Sequence, residues 1–344
     1  MRNISRLCFA HPCAKSPLCP ANRLKYWNYK GRGIYMITIN IASRVPLLGV
    51  LQGGVDAARV EYSPIGKMVS ERIELTFEPY PQIQICAKQL MPDHLHFVLW
   101  VKEDIPVPLG EIIRKLKIGC TQAYRDSGRM DATFTNATPL FESGFHDRVL
   151  LHAGQLRSMI DYVHDNPRRA AIKRAHPDLF KLRQSENVSG FECTTLGNRF
   201  LLDDPMKAML QCSRSLAKEE IDKKKSECLR LADRGVVFVC AGISEGEKQI
   251  CRALREAGYP LIILLSEGFP AADSPHAKFY KPQGIYFETC AQGKLLLIEP
   301  APALYEDRDI EAEVYAKSGT LPHTTLRYKF LALNALIRRL CNIH

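Results

Sequence analysis

The sequence predicts an α+β protein in two parts: an antiparallel sheet with helices, then a smaller α/β domain with parallel strands. Three stretches carry that prediction. Ile34-Tyr-Met-Ile-Thr-Ile-Asn40 is rich in β-branched and aromatic residues, as strands are. Pro81 to Leu90 turns at Pro92-Asp93 into a second apolar run, so these two strands form a hairpin and pair antiparallel. Val236-Val-Phe-Val-Cys240, a helix from Glu245 and Pro260-Leu-Ile-Ile-Leu-Leu265 run strand, helix, strand with no hairpin turn, which predicts a parallel βαβ unit.

Length and composition set the bounds. At 344 residues about two domains are expected, and 46% apolar with 24% charged residues is a globular balance. Lys and Arg number 47 against 37 Asp and Glu, a net +10 that favours a polyanionic partner, nucleic acid first. The twelve cysteines contain no CxxC pair, and the gaps between Cys8, Cys13 and Cys19 fit no common zinc pattern. Reduced cysteines in a cytoplasmic protein are expected. Pro12, Pro17 and Pro20 interrupt the opening residues, which do not resemble a secretory signal. The runs Val236–Ile243 and Leu261–Leu265 are too short to cross a bilayer, so no membrane partner is expected.

Taken in order, residues 1–25 show no periodicity and read as an extension. Tyr26-Trp-Asn-Tyr-Lys-Gly-Arg-Gly33 mixes rings with Lys30 and Arg32. It suits either base stacking with phosphate neutralisation or ordinary packing before the first strand. Gly49, Gly53 and Gly54 punctuate a hairpin or loop that ends in a short strand at Val60-Glu-Tyr62. Ser63 as N-cap and Pro64 at the first helical position open a helix carrying Ile65, Met68, Val69, Ile73 and Leu75. Another runs from Leu109 to about Asp126, with Ile112, Ile113, Leu116 and Cys120 in one stripe. Arg114, Lys115 and Lys117 lie off that stripe, as a solvated face or as DNA-backbone contacts. Pro139 to Leu151 is a turn feeding a strand with His146, Asp147 and Arg148 at its start. Gln155 begins a helix expected to end at Asn166, because the residue before Pro167 is disfavoured in helical geometry.

Chemistry concentrates at Met91-Pro-Asp-His-Leu-His-Phe-Val-Leu-Trp100. Side chains alternate along a strand, so His94 and His96 emerge on one face as a ready chelate for a divalent cation. Two idle, solvated histidines are the plainer alternative. Tyr162 and Asn166 are four apart and share a helix face if the last turn holds. Tyr162 there is either a packing residue or a phenol able to attack phosphorus. Asn166 would then offer a carbonyl oxygen as third metal ligand, and Mg²⁺ or Mn²⁺ suits imidazole and oxygen donors completed by phosphate.

Met91-Pro-Asp-His-Leu-His96, Phe141-Glu-Ser-Gly-Phe-His-Asp-Arg148 and Asp161-Tyr-Val-His-Asp-Asn-Pro167, followed by Arg168 and Arg169, occur in this order. Together they resemble the single-tyrosine HUH transposases, most closely the REP-associated tyrosine transposases, over residues 26–185. The resemblance implies a ferredoxin-like α+β domain, an antiparallel sheet with helices on one side. It also implies His94, His96 and Asn166 as metal ligands, Tyr162 as nucleophile, and Mg²⁺ or Mn²⁺ as cofactor. The expected partner is single-stranded DNA beside a hairpin, cleaved through a 5′-phosphotyrosine by a monomer or homodimer. Lys30, Arg32, Arg114, Lys117, Arg148, Arg168 and Arg169 are the candidate DNA contacts, and His146 and Asp147 are read as structural. A DNA-binding protein without turnover, and a metal-dependent nuclease in which Tyr162 only packs, are the alternatives.

Residues 186–233 read as a helical connector, with Lys218–Lys225 a charged helix. Residues 234–344 resemble, through Gly242-Ile-Ser-Glu-Gly-Glu247 and Leu265-Ser-Glu-Gly268, the Rossmann-like domain of DNA-processing protein A and lysine-decarboxylase-like proteins. No GxGxxG is present, and Glu245 and Glu247 in the first helical turn would repel phosphate. Gly284–Cys290 and Lys294–Ile298 are expected to add strands before a helical end.

Overall fold

The computed structural model describes residues 27–128, 138–152, 154–269 and 285–343. The extension at 1–25, with Cys8, Cys13 and Cys19, lies outside them. The chain divides into two compact units, Met1–Ile172 and Lys173–His344. The basic excess belongs mainly to the first, which holds 22 Lys and Arg against 15 Asp and Glu, while the second holds 25 against 22. Among the described residues no helix is long and apolar enough to cross a membrane.

The first unit strings β1 (Gly33–Asn40), α1 (Pro64–Phe77), β4 (Ile83–Met91), β5 (His94–Val101), α2 (Leu109–Asp126) and β6 (His146–Val149) in βαββαβ order. A small hairpin, β2 (Gly49–Gln52) with β3 (Arg59–Tyr62), is inserted before α1. The sheet order is β4-β5-β1-β6 with every pairing antiparallel, the ferredoxin-like arrangement. Strict alternation builds it: Tyr35, Ile37 and Ile39 of β1 are fully buried. With Leu95, Phe97, Leu99 and Val101 of β5 they pack against Val69, Ile73 and Phe77 of α1 and Ile112, Ile113 and Leu116 of α2. Ser63 caps α1 by accepting from Gly66 N. Gly66 is required, because a Cβ there would lie 1.9 Å from the Leu48 carbonyl oxygen.

Two expectations need correction here. The helices do not all lie on one side of the sheet. α3 (Gln155–Ala175) covers the opposite face, where Val163, with Leu156, Met159, Ile160 and Tyr162, packs on Val98, Ala87, Ile34 and Met36. A bulge in β4 between Ile85 and Ala87 assists, bringing Cys86 and Ala87 together onto that face. Nor does α3 stop at Asn166, since Pro167 sits inside it. A proline cannot donate to the carbonyl four residues back, here Val163. The Asn166 amide fills that gap, its Nδ2 donating to Val163 O at 3.3 Å and to Tyr162 O at 2.9 Å.

The second unit is not smaller, and residues 186–233 are not a helical connector. β7 (Arg183–Val188), β8 (Phe191–Gly197) and β9 (Lys207–Met209) all join its sheet, and the helical part of that stretch is α4 (Lys218–Ala232) with a short 3-10 segment at Arg199–Asp203. The sheet order is β7-β8-β12-β11-β10-β9. β9, β10 (Val237–Cys240), β11 (Leu261–Leu264) and β12 (Leu295–Pro300) are parallel, while β8 and β7 add antiparallel. The expected β10–helix–β11 unit is present, its helix being α5 (Glu245–Glu256). Residues 285–291, expected within a strand, form α6 (Ile285–Ala291). Their apolar residues at Ile285 and Tyr286 lead to a fully buried Phe287, and a short apolar run fits a buried helix as well as a strand. α7 (Arg308–Ser318) and α8 (Leu326–Leu340) bury Val237, Val239, Ile262, Leu264, Leu296 and Ile298 on one sheet face.

Candidate active site

β5 begins at His94 and leads its two histidines onto the α3 face of the first sheet, while Leu95 and Phe97 point into the α1–α2 core. The two imidazoles stand edge to face with centroids 4.8 Å apart. Both Nδ1 atoms are engaged. His94 Nδ1 donates to Asp93 Oδ1 at 2.6 Å, and His96 Nδ1 meets Thr38 Oγ1 at 2.8 Å. These contacts hold each ring in one orientation and assign Nε2 as the nitrogen each could commit to a cation.

A polar network behind His94 extends this arrangement, and sequence reasoning missed it. Arg44 Nε lies 2.9 Å from Asp93 Oδ2, Arg44 Nη1 donates to Asn40 Oδ1 at 2.5 Å, and Asn40 Nδ2 donates to Glu142 Oε2 at 2.8 Å. Ser43 and Arg44 both adopt left-handed backbone, at φ 56° and 57°, which is uncommon for non-glycine residues. Burial acts to raise the Asp93 carboxyl's pKa. The His94 hydrogen bond and the charges of His94 and Arg44 outweigh it and hold Asp93 below its ordinary value of 3.8. Asp93 was visible beside His94 as a turn residue. Thr38, Asn40 and Glu142 reach the site only through strand register and a bridge between Ile41 and Phe141, which no local pattern reveals.

α3 brings Tyr162 to the same place. Its ring lies 6.0 Å from that of His96, edge-on, and the Arg169 guanidinium sits 5.4 Å from the Tyr162 ring centroid. Arg169 is only 9% exposed, so this charge fixes the ring from within the fold. Asn166 lies one turn beyond Tyr162 and spends its amide nitrogen on the helix backbone, leaving Oδ1 as its metal-competent atom. Among the described residues no three His, Cys, Asp or Glu side chains form a cluster able to hold a metal. Two imidazoles and an amide oxygen are the metal-competent groups that β5 and α3 carry here, and donors of these types would suit a divalent cation with phosphate oxygens as further ligands.

The structure sorts the seven candidate DNA contacts. Arg148 pairs across the sheet with Met36 and so faces the α3 side. Arg168 is in a bidentate ion pair with Asp165 on α3. Lys117 is tied to the protein itself: its Nζ donates to the Glu142 and Gly144 carbonyls at 2.5 and 2.6 Å, and burial pulls its pKa down. Arg114 is exposed on α2, across the sheet from the histidines. Lys30 and Arg32 are exposed just before β1, and Arg32 lies six residues, about 20 Å, from Thr38. The aromatics beside them pack, Trp27 Nε1 donating to Tyr35 Oη and Tyr29 Oη to Asp147 Oδ2.

Comparisons with known proteins cover less than half of the chain. No family model matches. An uncharacterized protein of Haemophilus influenzae is 22% identical over 165 residues, 42% of this chain and 86% of its own length. The structure of a REP-associated tyrosine transposase bound to a REP hairpin aligns at 18% identity and TM-score 0.31, over 42% of this chain and 73% of that one. A Deinococcus radiodurans R1 protein designated a candidate transposase aligns at 13% identity and TM-score 0.27, over 42% of this chain and 98% of that one.

Proposed function

We propose that the first unit cleaves and rejoins single-stranded DNA, beside a hairpin, with Tyr162 as nucleophile. The observation that carries this reading is the contiguous row of rings, Tyr162 against His96 against His94, on one face of the sheet. Tyr162 Oη would attack the scissile phosphorus, forming a 5′-phosphotyrosine as the bond to O3′ breaks and the freed 3′ oxygen takes up a proton. Attack by a 3′ hydroxyl on that phosphotyrosine reverses the step, so joining needs no nucleotide cofactor. His94 and His96 through Nε2, with Asn166 Oδ1, would hold Mg²⁺ or Mn²⁺. Such an ion supplies a counter-charge for the phosphate and for the departing oxygen. Asp93 and Thr38 keep the imidazoles aimed, and Arg169 fixes the tyrosine ring. Tight positioning of this kind is what lets a bound nucleophile outcompete water.

An amide oxygen brings no charge to a cation, unlike a carboxylate, and so weak a third donor favours a second reading, a DNA-binding protein that does not turn over. One experiment separates them. Purified protein is mixed with Mn²⁺ and a pool of labelled hairpin DNAs with randomised single-stranded arms, then run on a denaturing gel. A labelled band at protein mass, absent with Tyr162→Phe, is expected. Cleavage that persists in Tyr162→Phe rules out the tyrosine chemistry, and binding without any cleavage leaves the second reading standing.

A further inference from the structure

The His146-Asp147-Arg148 tripeptide is split by the pleat of β6 into two different surfaces. Asp147 pairs with Ile37, whose side chain lies in the α1–α2 core, and accepts from Tyr29 Oη at 2.7 Å. It is therefore a packing residue on the α1–α2 side. His146 and Arg148, one residue to either side, project to the opposite face. His146 lies directly across from Thr38, and Thr38 lies directly across from His96. Directly opposed residues in antiparallel strands share a face, so His146, Thr38 and His96 form one cross-strand row. With strands about 4.8 Å apart, the His146 and His96 backbones are about 10 Å apart. That is within three nucleotides of backbone even at the stacked spacing of about 3.4 Å. His146 is exposed, whereas His96 at the centre of the sheet is buried. β6 is also the edge strand of this sheet, with no further strand beyond it among the described residues.

We infer that β6 is a backbone-contact strip on the tyrosine face. His146 donates a hydrogen bond to a phosphodiester of the bound strand within a few nucleotides of the one Tyr162 attacks, and Arg148 is the next contact along. This rests on the DNA-cleaving reading above. It gives His146 a substrate contact, where the sequence alone suggested a structural residue. The strip is distinct from the metal ligands, because β6 contributes none of them.

The test uses the full chain and a labelled DNA hairpin with a thymidine arm. His146→Ala should weaken binding roughly tenfold or more, the scale of a hydrogen bond to a charged group. His146→Gln, which keeps a donor, should recover most of that loss. Thermal melts of both variants, run alongside, separate a loss of binding from a loss of fold. A scan replacing single arm phosphates with neutral methylphosphonates should find one position that costs wild type the same factor and costs His146→Ala nothing further. Two results overturn the inference: His146→Ala binding as tightly as wild type, or a loss no single methylphosphonate accounts for. A wild-type tyrosine adduct together with either result sinks the β6 contact alone. Failure of the wild type to bind the hairpin or form an adduct sinks the cleavage reading and this inference together.

Discussion

Thr38 Oγ1 stands 2.8 Å from His96 Nδ1, and the two residues are direct partners in the β1–β5 register. The hydroxyl thus fixes the one buried imidazole of the site, a ring only 6% exposed, from the neighbouring strand. Outer partners of this kind typically govern metal affinity by ten- to a hundredfold. Thr38→Val keeps the shape and β-propensity and removes the hydroxyl. It should weaken Mn²⁺ binding by roughly tenfold in calorimetric titration, while circular dichroism stays at the wild-type spectrum. An unchanged Mn²⁺ affinity would mean that the ring needs no such orienting group.

Asp93 should leave a signature in the acid limb of stability. Its native carboxyl is held below 3.8, so in the folded state it binds a proton less readily than in the unfolded chain. Such a group contributes stability that is fully present above the unfolded value and is lost as pH falls through the folded one. The wild type should therefore lose stability below about pH 3.8, and Asp93→Asn should show a shallower loss over the same window. Urea unfolding at several acidic pH values measures both slopes. Equal slopes would place the origin of the acid sensitivity elsewhere.

Asn166 has two separable duties. Its amide nitrogen patches the helix at Pro167, and its carbonyl oxygen is the candidate third ligand. Asn166→Ala removes both, whereas Asn166→Asp removes the donor and keeps oxygens. Both variants should lose about 1 kcal/mol of stability in urea, the usual worth of a hydrogen bond to backbone. Only Asn166→Ala should lose the tyrosine adduct with Mn²⁺. Adduct formation by Asn166→Ala at the wild-type rate would remove Asn166 from the ligand set.

These cases also show what the sequence could and could not reveal. Period-two alternation in Ile34–Asn40 and in the histidine strand is local, so β1, the β4–β5 hairpin and the shared face of His94 and His96 were legible. So was the turn spacing of Tyr162 and Asn166. The continuation of α3 through Pro167 was not, because a neighbouring side chain supplies the missing donor. β7 and β8 were overlooked because their burial is irregular and their two-residue turn, Ser189-Gly190, has φ of 51° and 91° without the usual Asn-Gly or Asp-Gly pair. Cross-strand partners such as Thr38 and His146 depend on register, which no window of the chain encodes.

Glu247 in the second unit yields the last prediction. The N-terminus of a helix after a parallel strand is where α/β sheets commonly bind anions. Here the position following β10 is filled from within. Glu247 is 2% exposed, its Oε1 accepts from Cys212 N at 3.0 Å, and its Oε2 accepts from Ile243 N at 2.6 Å and Ser244 N at 3.3 Å. Ser244 Oγ returns the contact by accepting from Glu247 N at 3.1 Å. A carboxylate held by three backbone donors takes the place that a ligand phosphate would need, and its charge repels one. The wild-type melting temperature should therefore not rise with added phosphate at constant ionic strength. Glu247→Ala should be destabilised by roughly 2–4 kcal/mol, because it strands three backbone donors, two of them buried. Its melting temperature should then climb with phosphate, as linkage requires of an anion that binds only the folded state. A wild-type protein stabilised by phosphate in a way Glu247→Ala does not change would show that this helix end is not where the anion sits.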